Sequence, residues 1–238
     1  MKYRNFLAIT LTTAFIAGCG GGSSGSSPVT NTPVASTETF QFKTAYINNF
    51  NNSRSLPFTM TGVFSGVSVT GSGTFTQGGV SSATFENIAA LKKTATISGT
   101  VTGTSNGKTE TFPLSIILTS YLDTNYNPLG SDSPSYTVAS SNINFPQTVK
   151  INDSGTLFSS TNYSSNSKLN VVGISIISFA VEPDTATTAL LKLIQIDKNT
   201  SGSIVSSSSV SYRLTPSGGL TRLSENTLIG SDTLVITY

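Results

Sequence analysis

Two Ser-x-x-Lys pairs, Ser105 with Lys108 and Ser165 with Lys168, have the spacing at which a lysine amine can take a proton from a serine nucleophile. Neither is joined by a Ser-Asp-Asn or Lys-Thr-Gly partner, and serine is so frequent here that such pairs arise by chance, so solvated hairpin loops are expected. Gly21-x-Ser23-x-Gly25 spells a nucleophile elbow and Gly20-x-Gly22-x-x-Gly25 a dinucleotide turn, but no strand precedes them and no helix pattern follows. Asp123, Asn125, Asn127 and Asp132 begin like a calcium loop, yet Pro128 and Pro134 stand where such a loop needs Gly and a bidentate Glu. An Asx-rich turn between strands accounts for them better. Glu182 and Asp184 flank Pro183 and read as a charged strand end rather than an acid-base pair. The chain has no histidine, which excludes a Ser-His relay, a histidine metal site and any group with an unperturbed pKa near neutrality. The expectation is a protein that is not an enzyme, with no catalytic residues, no metal site and no cofactor.

Composition points the same way. Only 10% of the 238 residues are charged, against about 25% in an average protein, and 37% are hydrophobic. Few charges together with many small, β-compatible residues suggest an extracytoplasmic β protein.

The N-terminus carries an address. Lys2 and Arg4 precede a mostly apolar run from Phe6 to Ile16, too short to cross a bilayer, which takes about 20 apolar residues. Small residues then lead to the only cysteine in the order Ile16, Ala17, Gly18, Cys19. This run resembles the lipobox of bacterial lipoproteins, and the chain is similar to a loose class of β-rich outer-membrane lipoproteins. The resemblance implies a signal peptide over 1–18, cleavage before Cys19, and acyl chains on the Cys19 sulfur and new amino group. Gly20, where Asp would favour inner-membrane retention, implies delivery to the outer membrane. Cleavage would remove Lys2 and Arg4, leaving 11 basic against 11 acidic residues, so no basic surface for nucleic acid is expected. Residues 19–36, mostly Gly, Ser, Thr and Pro, read as a tether able to extend to about 60 Å. The partners this reading leaves are membrane lipid through acylated Cys19 and a protein or an apolar ligand.

The elements that would position any site lie in 37–238. Phe42, Ala45, Tyr46 and Phe50 fall on one helical face, predicting a short helix over Phe40–Asn51, with a strand as the rival reading. Thereafter the period is two. Val67, Val69 and Phe75 alternate with Ser68, Thr70, Ser72, Thr74 and Thr76; Ala95, Ile97 and Val101 with flanking Thr and Ser; Val210, Tyr212 and Leu214 with Ser209, Ser211 and Arg213. Leu114–Leu122 and Val171–Val181 are apolar on both parities and read as strands covered on two faces. Gln77-Gly78-Gly79, Asn106-Gly107, Asp153-Ser154-Gly155, Asn199 to Gly202 and Pro216 to Gly219 punctuate the strands, Asn106-Gly107 most firmly, as a type I′ turn.

The prediction is all-β: antiparallel sheets, sandwich or half-barrel-like, with one N-terminal helix. Parallels between Thr119 to Leu122 and Val210 to Arg213, and between Leu91-Lys92 and Leu191-Lys192, raise a two-fold internal duplication with a boundary near 131–146; a long loop within one domain is the alternative. The ending Leu234, Ile236, Tyr238, alternating with Val235 and Thr237, resembles the last strand of a transmembrane outer-membrane barrel. A strand that closes the sheet, with Tyr238 over the core edge, is preferred, because the two-faced Val171–Val181 does not suit a polar lumen. The function expected is that of an outer-membrane-anchored, non-catalytic binding or envelope-structural module, with a carrier of apolar ligands as the alternative.

Overall fold

The computed structural model describes residues 35–238, so the leader, Cys19 and most of the tether lie outside the described residues. Of the described residues 66% are strand, with one helix among them. That helix, α1 (Phe42–Asn51), buries Phe42, Ala45, Tyr46, Asn49 and Phe50, the face predicted by spacing plus an asparagine.

Thirteen strands follow in one antiparallel sheet: β1 (Arg54–Phe64), β2 (Val67–Gln77), β3 (Ser81–Phe85), β4 (Ile88–Ser105), β5 (Lys108–Leu122), β6 (Pro128–Ser133), β7 (Tyr136–Ala139), β8 (Ser154–Tyr163), β9 (Val171–Pro183), β10 (Ala189–Asn199), β11 (Ile204–Leu214), β12 (Leu220–Ile229) and β13 (Asp232–Thr237). Chain neighbours pair throughout, except that β13 returns to β1 and β2 pairs with β4. The last pairing closes the sheet. Residues 68–77 of β2 lie against 95–104 of β4, while the first turn of β4 holds the short β3, so twelve strands form a barrel and β3 hangs from its rim.

A closed barrel replaces the sandwich or half-barrel expected from pattern alone. Closure needs strands that bend sharply, and inward-facing glycines supply the bend. Gly73 of β2 lies opposite Gly99 of β4, and a Cβ on either would stand 2.1 Å from a carbonyl oxygen of the neighbouring strand. Alternation cannot distinguish a flat sheet from a curled one, because both bury every second residue.

The predicted alternation is present, with the dry face turned inward. Phe75, Ala95, Ile97, Val210, Tyr212 and Leu214 are buried in the lumen, while the alternating Ser and Thr of β1, β2 and β4, and Ser207, Ser209 and Ser211 of β11, face outward. The lumen is filled by two cores. One joins α1 to β8–β12 through Phe42, Phe50, Phe179, Leu191, Tyr212 and Leu214. The other joins β1, β2, β4, β5 and β13 through Phe58, Phe75, Ile97, Leu118 and Ile236. The helix lies across the strand ends at Val181, Ala189 and Leu220 and covers that end of the barrel.

Two expectations are corrected. Leu114–Leu122 and Val171–Val181 are not covered on both faces along their length: Ile117 and Ile174 point outward and are exposed, and only Thr119 and Tyr121 of the outward set are buried. Within 131–146 the sheet continues to Ala139, β6 pairing with β5 and with β7 and β7 with β8, and 140–153 is a loop inside the same sheet. Tyr121 and Tyr212, the anchors of the suspected repeat, point to opposite faces, Tyr121 into an outer cluster and Tyr212 into the lumen, which removes the main parallel for duplication. The C-terminal strand joins β12 to β1, and Tyr238 packs on Phe58 and Phe75 with ring centroids 6.3 and 6.1 Å away.

Candidate functional site

Three groups of polar side chains depart from the plain pattern of apolar lumen and hydroxyl exterior. The first is sealed between the two cores. The guanidinium of Arg222 lies between the rings of Phe75 and Tyr238, 4.8 and 4.5 Å from their centroids, and pairs with Glu225; the two side chains are 1% and 2% exposed. Its Nε and Nη1 have no hydrogen-bond acceptor and face ring π-clouds instead. Nearby, Lys93 reaches the C-terminal end of α1, where its Nζ donates to the carbonyls of Phe50 and Asn52, the latter at 2.6 Å. Arg54 donates to the Asn49 carbonyl at 2.9 Å and to Gln77 Oε1 at 2.8 Å. The helix has no basic residue in its last turn, so these strand cations satisfy its orphan carbonyls and complement its dipole. Burial, then the charge of Arg54, push the Lys93 ammonium down to about 8. Burial pushes Tyr212 up to about 12, while Arg222 is raised by Tyr238, Tyr212 and Glu225 against the opposing effect of desolvation.

The second group lies in the lumen away from the helix, around a cavity of about 170 Å³. Asp197 collects donors there: Gln195 Nε2 at 2.8 Å and Ser175 Oγ on one oxygen, Ser206 Oγ at 2.6 Å on the other. Asn162 Nδ2 donates to Ser175 Oγ at 2.8 Å. The carboxylate is already served by its own wall, and the space is below the roughly 300 Å³ at which small-molecule pockets begin.

The third group is on the outer wall, where β5, β6, β7 and β8 turn Tyr121, Asp132, Tyr136 and Tyr163 outward. The β3–β4 hairpin bends over them at Glu86-Asn87, both at positive φ, and lays Phe85 into the cluster. Gly130 makes room for it, since a Cβ there would stand 2.8 Å from the Phe85 ring. Phe85 stacks on Tyr121 and Tyr136 with centroids 4.5 and 5.5 Å apart, and Tyr163 meets Tyr136 at 6.5 Å. The Tyr121 hydroxyl donates to Asp132 Oδ2 at 2.6 Å, the Tyr136 hydroxyl to Glu86, and Lys168 pairs with the other Glu86 oxygen. Burial first, then the bonded carboxylates, raise both phenols, Tyr136 to about 12, so they stay donors. Lys168 and Tyr136 hold the Glu86 carboxyl below the usual range. Phe85, Glu86, Tyr121, Asp132, Tyr136 and Tyr163 line an open cleft of about 870 Å³ with Ser135 and the 164–166 segment, and Lys168 stands behind Glu86.

The residues singled out by sequence are scattered. Ser105 and Lys108 face each other across the exposed end of the β4–β5 hairpin. Ser165 bonds Ser167 while Lys168 goes to Glu86, so these two do not pair with each other. Asp123 accepts from the amides of Asn125 and Asn127 at 2.8 Å, the Asx turn expected. Glu182 pairs with Lys192 and Asp184 with Arg213, in separate ion pairs. Among the described residues no three metal-ligating side chains converge. Of these, Asp132 and Ser165 line the outer cleft and Lys168 reaches it through Glu86, in roles their motifs did not suggest. Its tyrosines were missed; the available signal was aromatic residues on the parity that elsewhere carries Ser and Thr.

No protein-family model, curated protein or solved structure matches the chain.

Proposed function

We propose that the protein is an envelope lipoprotein, anchored to the outer membrane through acylated Cys19, whose barrel is a non-catalytic binding module working through its outer wall. The observation that carries this reading is the contrast in free space: about 870 Å³ in the outer tyrosine cleft against about 170 Å³ in the lumen. A carrier of apolar ligands would need a roomy apolar hollow, whereas here two aromatic-rich cores fill much of the lumen and the cavity of about 170 Å³, lined by Phe158 and Ile177 as well as by hydroxyls, amides and Asp197, is too small for one. The facing of the strands favours an anchored rather than a spanning barrel, because a membrane barrel turns its apolar band outward and this one turns it inward. The lipobox supplies the anchor, and chains on two atoms of Cys19 exceed what stable attachment requires.

The test has two arms. Mass spectrometry of the membrane fraction should find a lipidated peptide beginning at Cys19, and Cys19→Ala should release the protein from membranes. Residues 36–238 alone should be monodisperse in detergent-free buffer and carry no co-purifying lipid. Retention of Cys19→Ala on membranes, or folding only in micelles, would overturn the reading.

A further inference from the structure

Resting on that binding-module reading, we propose that the outer tyrosine cleft is a saccharide site that takes a neutral pyranose oligosaccharide across Tyr136 and Tyr163. Phe85 and Tyr121 are 5% exposed and form the floor, whereas Tyr136 and Tyr163 are only partly buried and offer flat apolar surface at its wall. Around these rings stand groups that exchange hydrogen bonds with hydroxyls: Asp132, whose Oδ2 is held by Tyr121; Lys168, part of whose ammonium is committed to Glu86; and the Ser164, Ser165 and Asn166 side chains. A ligand with apolar faces and a hydroxylated edge satisfies both sets at once.

Charge balance narrows the choice further. A cationic ligand such as a quaternary ammonium would be drawn to an aromatic cage with open ring faces. Here Phe85 stacks against Tyr121 and Tyr136, so the partly exposed Tyr136 and Tyr163 make a wall and not a cage that closes on a cation from several sides. An anion would meet Asp132 and a lysine whose charge Glu86 offsets. A neutral polyhydroxylated ligand has no such opposition. The carboxylates are also fixed in advance by tyrosine hydroxyls, so little side-chain freedom is lost on binding.

Isothermal titration of the full chain with chitotriose, cellotriose and maltotriose, with phosphocholine as the charged comparison, tests the proposal. Saturable binding of at least one trisaccharide is expected, weakened at least tenfold by Tyr163→Ala at the cleft rim and by Asp132→Ala, with the thermal midpoint of each variant near that of the parent. Lys168→Ala, on an exposed loop, should weaken it several-fold and serves as the variant least able to disturb folding. Failure of all three sugars to bind, binding indifferent to these substitutions, or tighter binding of phosphocholine would overturn the saccharide assignment. If Cys19→Ala still released the protein from membranes in that case, the anchored-module reading would survive it.

Discussion

Arg222 and Glu225 lie inside the barrel with Tyr212 and Tyr238 beside them; Lys168 and Glu86 lie on its outer wall with Tyr136 and Tyr121. The parts are nearly the same, a carboxylate, a cation and tyrosines, yet one set is sealed and the other stands at 40% and 21% exposure of its charged side chains. Inside, every contact is with the protein, and removing one member strands a charge in an apolar setting. Outside, water and ligand can replace what a substitution removes. The difference teaches that burial, more than residue type, separates a cluster that holds the fold from one that can be recruited to bind.

The largest effect should follow from breaking the sealed pair. Glu225→Ala leaves Arg222 without its carboxylate and should cost about 3–5 kcal/mol in urea denaturation. The double variant Arg222→Met, Glu225→Leu should recover most of that loss, since no charge is then left alone. Recovery would separate the penalty of an orphaned charge from any positive contribution of the pair.

Next in size, Lys93→Met should cost about 1–3 kcal/mol by leaving the carbonyls of Phe50 and Asn52 without their donor at the end of α1. It should also change the pH profile. In the folded chain Lys93 titrates near 8, below its unfolded value near 10.5, so between those limits the folded state binds fewer protons and stability rises with pH. Above about pH 10 the opposite holds for the tyrosines. Tyr212 and Tyr136 remain protonated to about 12 when folded but ionise near 10 when unfolded, so stability falls as pH climbs past 10. Thermal midpoints from pH 7 to 11 should therefore rise and then turn over, and Lys93→Met should abolish the rise while keeping the fall.

The smallest effect belongs to the outer pair. Lys168→Ala should change stability by no more than about 1 kcal/mol, because its partner Glu86 is accessible and also held by Tyr136. A loss as large as that of Glu225→Ala would erase the distinction between the two clusters.

Much of the local structure was legible. Phe42, Ala45, Tyr46 and Phe50 mark the buried face of α1 because a helix repeats every 3.6 residues, and Phe75, Ile97, Tyr212 and Leu214 mark the lumen because a strand repeats every two. Asn106 and Gly107 sit at φ 51° and 73°, the left-handed turn their identities called for. The cleft was not legible: Phe85, Tyr121, Tyr136 and Tyr163 come from four strands and meet only when β3 to β8 are laid side by side in the sheet. Asp132 and Lys168 drew notice for motifs they do not serve.

What the sequence determined by itself is whatever depends on near neighbours along the chain: the helix, the strand periods, the turns, and the histidine chemistry excluded by composition. What only the tertiary structure decided is whatever depends on the direction in which the sheet curls. The β2–β4 pairing turned a sheet into a barrel, placed the Ser and Thr faces outside, left Ile117 and Ile174 exposed instead of covered, and sent Tyr121 and Tyr212 to opposite sides. The physical reason is that alternation specifies two faces without saying which becomes the inside; that choice is made when the whole sheet bends to bury the larger apolar area around α1.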